Sequence, residues 1–306
     1  MLTKMSLKYN LPEIKTNLLS GLTVALAMVP EAIAFALIAQ VSPLTGLYAA
    51  ILVCFITSLF GGRPGMVSGA TGALAVVMVS LVVQHGPEYL FFTVILMGIL
   101  QIIFALFKLG KFIRMVPYPV MLGFVNGLAV VIFIAQFNHF KTINSDGIFV
   151  WMEGMPLYIM LGLISITVAI IYFLPRITKS IPSTLAAIIA TTGLVAFFGI
   201  DSKTVGDLGS IAGGIPDFNI PLVPINFETF KITLPYALLL AAIGLIETLL
   251  TLNLIDDMTD TRGRPNKESM AQGFANIITG FFGGMGGCAM IGQSMININN
   301  GAVKRL

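Results

Sequence analysis

Charge is what this sequence has least of. Asp, Glu, Lys and Arg make up 10% of its 306 residues, against about 25% in soluble domains. So few charges cannot cover a water-exposed surface. The net charge of +3 calls for no nucleic-acid partner. The two cysteines, Cys54 and Cys288, both sit in apolar context, which excludes a disulfide framework. The two histidines, His85 and His139, lie far apart without metal-ligand spacing. No G-x-x-x-x-G-K-[ST] string occurs, so no ATP-driven motor is expected. The glycines at 283–287 close an apolar helix instead of following a strand, which excludes a dinucleotide cofactor site. No segment carries the regularly spaced arginines of a voltage sensor. The first residues, MLTKMSLKYNLPEIK, lack the apolar core and small-residue cleavage site of a signal peptide, so the first helix is expected to remain in the mature protein.

What is present is apolar sequence: 57% hydrophobic residues and a mean hydropathy of +0.94. Several uncharged runs approach or exceed the roughly 18 residues of a membrane-spanning helix. The pattern predicts an all-α polytopic membrane protein with about ten hydrophobic elements, at 16–39, 43–60, 70–84, 89–108, 115–138, 156–174, 182–199, 231–256, 268–283 and from 289. The third and tenth are short: about 15 residues reach only ~22 Å across a ~30 Å hydrocarbon core. With the N-terminus in the cytoplasm, alternation puts nearly every Lys and Arg on the inner side. Lys141, Lys203 and Lys231 are the exceptions, as the positive-inside bias requires. The expected site of the protein is a bacterial inner membrane.

One stretch occurs twice. FITSLFGGRPGMVSGATGAL at 55–74 returns as IITGFFGGMGGCAMIGQSM at 277–295, with Ile56 meeting Ile278, Thr57 meeting Thr279, Phe60 meeting Phe282 and Gly61-Gly62 meeting Gly283-Gly284. Each time an apolar helix ends at a Gly-Gly pair and a short second helix follows. The copies fall in elements of opposite direction, so the expectation is an inverted repeat of seven plus seven helices with two discontinuous half-helices. Its divisions would be a cytoplasmic segment at 1–15, a first repeat at 16–199, an outer loop at 200–230 and the first three helices of a second repeat at 231–306. On this reading the chain is a fragment.

The half-helix starts carry the candidate site. Ala70, Thr71, Gly72 and Ala73 open one; Ala289, Met290, Ile291, Gly292, Gln293 and Ser294 open the other. Helix starts leave N–H groups unpaired and carry partial positive charge, so two facing starts would hold an anion without a buried Lys or Arg. Small residues at both starts also suit close helix packing alone. Glu31 follows Pro30 in the first helix, and Glu247 lies mid-way along the eighth. A carboxylate at that depth is costly, and either could take a proton or hold Na⁺ to couple transport to a cation gradient. A protonated Glu bonded to neighbouring helices is the alternative. Phe35, one turn after Glu31, could wall a pocket or simply pack. Asp257 and Thr261, four apart in DDMTDT, would share a helical face and could ligate Na⁺ through oxygen. A solvated helix end is the other reading.

The strings GLTVALAMVPEAIAFALIAQVSPLTGLYAAILVCFITSLFGG, SGATGA, IGLIETLLTLNLIDDMTDT and GGCAMIGQSMININNG resemble the SulP sulfate-permease family, anion transporters related to pendrin and prestin, over essentially the whole chain. The resemblance implies fourteen helices in core and gate domains, with the third and tenth half-helices meeting at the anion. It implies a polar and an aromatic residue from the first helix, matched by Glu31 and Phe35. Many relatives have Gln at the position of Glu31, and Arg or Ser where this chain has Gln293 and Gly292. In sodium-dependent bicarbonate relatives an eighth-helix Asp and a Thr four later bind Na⁺, matching Asp257 and Thr261. Relatives end in a cytoplasmic STAS domain, not in this chain, and form dimers. The expected function is secondary active transport of a small inorganic or carboxylic anion (sulfate, bicarbonate or a dicarboxylate) coupled to H⁺ or Na⁺ by elevator-like movement. A nucleobase permease of the same fold, or an anion channel, is the alternative.

Overall fold

The structure, a computed structural model, describes residues 11–109, 118–143, 149–178, 183–202, 204, 213–224 and 226–302. Much of the expected N-terminal segment and outer loop, and the last four residues, lie outside these. Helix α1 spans Leu11–Ile38 and carries Pro30 within it. Helix α2, Pro43–Phe60, opens on a proline, whose missing N–H costs nothing in a first turn. Helices α3, Gly72–His85, and α4, Pro87–Leu106, are joined by Gly86 alone. Its φ of +86° is a conformation glycine reaches readily. Then come α5 at Tyr118–Gln136, α6 at Met155–Ile177, α7 at Ser183–Phe198, α8 at Phe227–Thr259, α9 at Pro265–Phe281 and α10 at Ile291–Asn299. Asn226 caps α8 by accepting from the Thr229 N–H. Five of these helices are long and apolar enough to cross a membrane.

Four short strands depart from the all-α expectation. β1 is Ser68–Gly69, β2 Lys141–Ile143, β3 Phe149–Trp151 and β4 Cys288–Ala289. β2 and β3 form a hairpin, whereas β1 and β4 pair antiparallel across the chain, Ser68 opposite Ala289 and Gly69 opposite Cys288. The half-helices therefore begin later than the sequence suggests, at Gly72 and Ile291, and the residues before them are extended. The physical reason is that non-helical backbone at membrane depth must find partners inside the protein. Each extended break supplies them for the other.

Helices α1–α4 and α8 enclose the main apolar core, with Leu74, Met78, Leu90, Met97 and Leu240 fully buried, and Val53 and Ile56 of α2 form a smaller cluster with Ala275 of α9. α4 and α9 cross very closely. A Cβ on Gly98 would lie 2.5 Å from the Gly273 carbonyl oxygen, and one on Gly273 would lie 2.6 Å from that of Gly98, the small-residue contact that membrane helices favour. α6 packs on α7 and buries none of its own residues.

Candidate functional site

The site is built on the β1–β4 crossing. An added Cβ on Gly287 would stand 2.2 Å from the Gly69 carbonyl oxygen, so only glycine lets the two backbones meet there. Met290 N–H donates to the Val67 carbonyl at 2.9 Å, and Ala289 N–H to the Thr248 hydroxyl at 3.2 Å. Because the strands are antiparallel, α3 and α10 leave the crossing in opposite directions. Their starts, with the positive ends of both helix dipoles, stay beside it.

The first helix reaches both starts. Gln293 of α10 donates through its amide to the Glu31 carboxylate. The buried Phe35 ring lies against the first residue of α3, and a Cβ on Gly72 would come within 2.9 Å of it. Ala70, Thr71, Gly72, Ala289, Met290, Gln293 and Ser294 are buried, Ala73 and Ile291 are half-buried, and Gly292 is exposed with open space beside it. Ser294 is already engaged. Its hydroxyl accepts from Val67 N–H at 3.0 Å and donates to the Val67 carbonyl at 3.3 Å.

Glu247 is 3% exposed and meets the crossing through a side chain that the sequence reading passed over. Cys288 Sγ donates to Glu247 Oε2 at 3.0 Å, and Thr71 Oγ1 lies 3.3 Å from the same sulfur. A further buried group was also missed. Gln272 and Asn276 of α9 donate to the Gly287 carbonyl at 2.8 and 3.0 Å. Asn276 Oδ1 accepts from Gly287 N–H at 2.8 Å, and its amide donates to Gln101 of α4 at 2.9 Å. The available signal was two amide side chains one turn apart in α9, on the face it shares with Glu268, Ser269 and Thr279.

Asp257 and Thr261 are not brought together on one helical face. α8 stops at Thr259, and Asp260 turns left-handed with a φ of +49°, so the four-residue spacing no longer measures a helical turn. Both residues are exposed, and Thr261 shares a 2.7 Å hydrogen bond with Thr259. Asp256 is the acid engaged at this end. It pairs with Arg63 at 3.1 Å and accepts from Gly263 N–H at 2.8 Å. Burial lowers the proton affinity of the Arg63 guanidinium, and Asp256 opposes that shift. Among the described residues, no three His, Cys, Asp or Glu side chains converge as a metal site would require.

Known proteins resemble this chain in sequence and in fold. The chain is 50% identical to the putative sulfate transporter YbaR of Bacillus subtilis, over 96% of its own length and 59% of that protein's. It is 32% identical to the bicarbonate transporter BicA of Picosynechococcus, over 96% and 55%. It thus spans little more than half the length of these relatives. The solved transmembrane domain of a cyanobacterial BicA superposes with a TM-score of 0.73 at 30% identity, covering 97% of this chain and 80% of that one. The murine anion transporter Slc26a9, in its inward-facing state, shares the fold at 17% identity, with a TM-score of 0.72 and coverage of 97% and 55%. The sulfate permease family model matches residues 14–306. This integral membrane chain belongs to the sulfate permease family.

Proposed function

We propose that the protein is a secondary active transporter of a small inorganic or carboxylic anion, held where the starts of α3 and α10 meet. The carrying observation is the β1–β4 crossing, which sets two helix N-termini beside Glu31, Phe35 and Gln293. Backbone N–H groups and helix dipoles do the binding there. The sulfate and bicarbonate transporters among the relatives support an anion as cargo.

A proton is the coupling ion this geometry favours. An ionised Glu31 at the site would repel an anion, so a proton on that carboxyl and the anion favour one another's binding. The Na⁺ alternative at Asp257 and Thr261 has lost its shared helical face. Movement follows an elevator-like course, with the packed body of α1–α4 and α8–α10 carrying the site against α5–α7. The fold is completed as seven plus seven inverted helices, N-terminus in the cytoplasm, in a homodimer.

The test is uptake by the purified protein in liposomes. Labelled sulfate, bicarbonate and succinate are offered in turn under an imposed proton or Na⁺ gradient. Saturable uptake of one of them, driven by an inward proton gradient, is the expected result. Uptake of uracil alone would mark a nucleobase permease, and unitary currents would mark a channel; either outcome sinks the reading.

A further inference from the structure

Glu247 is joined to the crossing by hydrogen bonds that run through Cys288. Its Oε2 takes the thiol proton at 3.0 Å, and the sulfur stands 3.3 Å from Thr71 Oγ1. Thr71 is the residue before α3, and its hydroxyl does not cap that helix. That hydroxyl also neighbours the Glu247 carboxyl, but its close partner is the sulfur. Carboxyl, thiol and hydroxyl therefore form a file from the buried middle of α8 to the start of α3. All three are buried, Cys288 completely.

A thiol and a hydroxyl have one proton each to give, so the state of the carboxyl sets the direction of the whole file. When Glu247 is ionised it can only accept. Cys288 then donates to it, Thr71 donates to Cys288, and the helix start is left facing lone pairs. When Glu247 is protonated it donates to the sulfur, Cys288 donates to Thr71 Oγ1, and the Thr71 proton is free for an anion. We propose that Cys288 is a positioning residue that transmits the protonation of Glu247 to Thr71, so that one proton and one anion bind together. The proton comes from water and returns to it. Neither the thiol nor the hydroxyl ionises; each only turns. This deepens the anion-transport reading above and rests on it.

The other polar groups around the file are engaged elsewhere, except that Gln101 Nε2 and Gln272 Oε1 are buried without a hydrogen-bond partner. α4 contributes Gln101 and Met97 beside Gly244. From α9, Gln272 and Asn276 are spent on Gly287, and Glu268 on the backbone N–H groups of Gly62 and Arg63. From α1, Glu31 is held by Gln293 of α10. The Arg63–Asp256 pair lies about 13 Å further along α8, nine residues at ~1.5 Å each.

The test compares wild type with Cys288→Ala, Cys288→Ser and Glu247→Gln in liposomes, using initial uptake of labelled sulfate, bicarbonate or succinate at pH 8 and pH 6. Wild-type apparent KM should fall at least about fivefold at the lower pH, the lower end of usual coupling between two ligands. Cys288→Ala should narrow that change to about twofold, the remainder belonging to Glu31. Cys288→Ser restores a donor and acceptor and should restore the pH profile. Glu247→Gln donates permanently and should keep KM low at both values, leaving only the roughly twofold change that belongs to Glu31. The infrared S–H stretch of Cys288, read in a Cys54→Ala background, serves even if Cys288→Ala fails to fold. It should shift between the two pH values in the presence of Glu247 and stay fixed in Glu247→Gln. An undiminished pH change in Cys288→Ala would mean that Thr71 answers Glu247 directly. That result, or an S–H band that ignores pH, overturns the relay alone. No saturable uptake of any of the three anions by wild type overturns the function and the relay together.

Discussion

The two glycine breaks share an order of elements, a helix, a two-residue strand and a second helix, but are fastened by different chemistry. At the first, after α2, the Glu268 carboxylate in the opening turn of α9 accepts from Gly62 and Arg63 N–H. Just before that helix, Arg264 N–H donates to the Gly62 carbonyl at 3.1 Å. Arg63 itself reaches Asp256, the Ile255 carbonyl at 2.9 Å and the Thr259 hydroxyl. At the second break, after α9, Met285 N–H donates to the Thr45 carbonyl in the opening turn of α2 at 3.3 Å. There the amides of Gln272 and Asn276 hold Gly287, and no charge takes part in those bonds. Each break thus leans on the first turn of the other's helix. The first does so through a carboxylate and an ion pair, the second through a backbone carbonyl and neutral amides. Identical sequence at Ile56/Ile278, Thr57/Thr279 and the Gly-Gly pairs therefore accompanies the same order of elements and not the same fastening.

The largest expected effect removes the charge from the first break. Arg63→Met gives it the residue type that the second break has at Met285. It leaves Asp256 without its cation; breaking a fully buried pair costs about 3–5 kcal/mol, which is the upper bound here because Asp256 is 17% exposed. Adding Asp256→Leu should recover most of that loss, since an apolar replacement of both partners is near neutral. Reversible unfolding in detergent measures both. A loss below about 1 kcal/mol for Arg63→Met would show that the ion pair does not hold the first break.

Next in size is the crossing itself. Gly287→Ala forces a methyl to 2.2 Å from the Gly69 carbonyl and should cost about 1–3 kcal/mol or more. Gly292→Ala, with nothing near its added carbon, should be neutral or slightly stabilising in α10. Equal effects from the two substitutions would mean that the backbones do not meet closely at Gly287. Asn276→Leu, which strips the buried Gly287 N–H of its acceptor, should cost about 1–3 kcal/mol. It should leave the salt dependence of unfolding unchanged, whereas Arg63→Met should reduce it.

Much of this arrangement was legible in the sequence. The repeated string located both breaks, and the intramembrane carboxylate rule drew attention to Glu31 and Glu247. The structure puts Glu31 beside the start of α10 and Phe35 against that of α3. Other features left no pattern. A two-residue strand has no alternation to detect, so the half-helices read as starting at Ala70 and Ala289, with no strand at Ser68–Gly69 or Cys288–Ala289. Cys288 looks like one more small apolar residue until its partners are known. The Asp257–Thr261 spacing carried information only if the helix continued, and whether it did depended on the left-handed turn at Asp260.

The smallest expected effect separates fastening from binding between the two helix starts. Ser294 and Thr71 are both hydroxyl residues at the crossing, and sequence alone gives them the same role. In the structure the Ser294 hydroxyl is bonded in both directions to the Val67 backbone, while the Thr71 hydroxyl bonds to no backbone group and meets the Cys288 sulfur. Ser294→Ala should therefore cost about 1 kcal/mol of stability, the usual worth of one hydrogen bond, with anion KM unchanged. Thr71→Val keeps the shape and loses the donor, so it should raise KM at low pH with little change in unfolding. Both quantities come from the same preparations, unfolding in detergent and uptake in liposomes. If Ser294→Ala raises KM as much as Thr71→Val does, its hydroxyl must leave Val67 to meet the anion, and the second break then belongs to the binding site as much as to the scaffold.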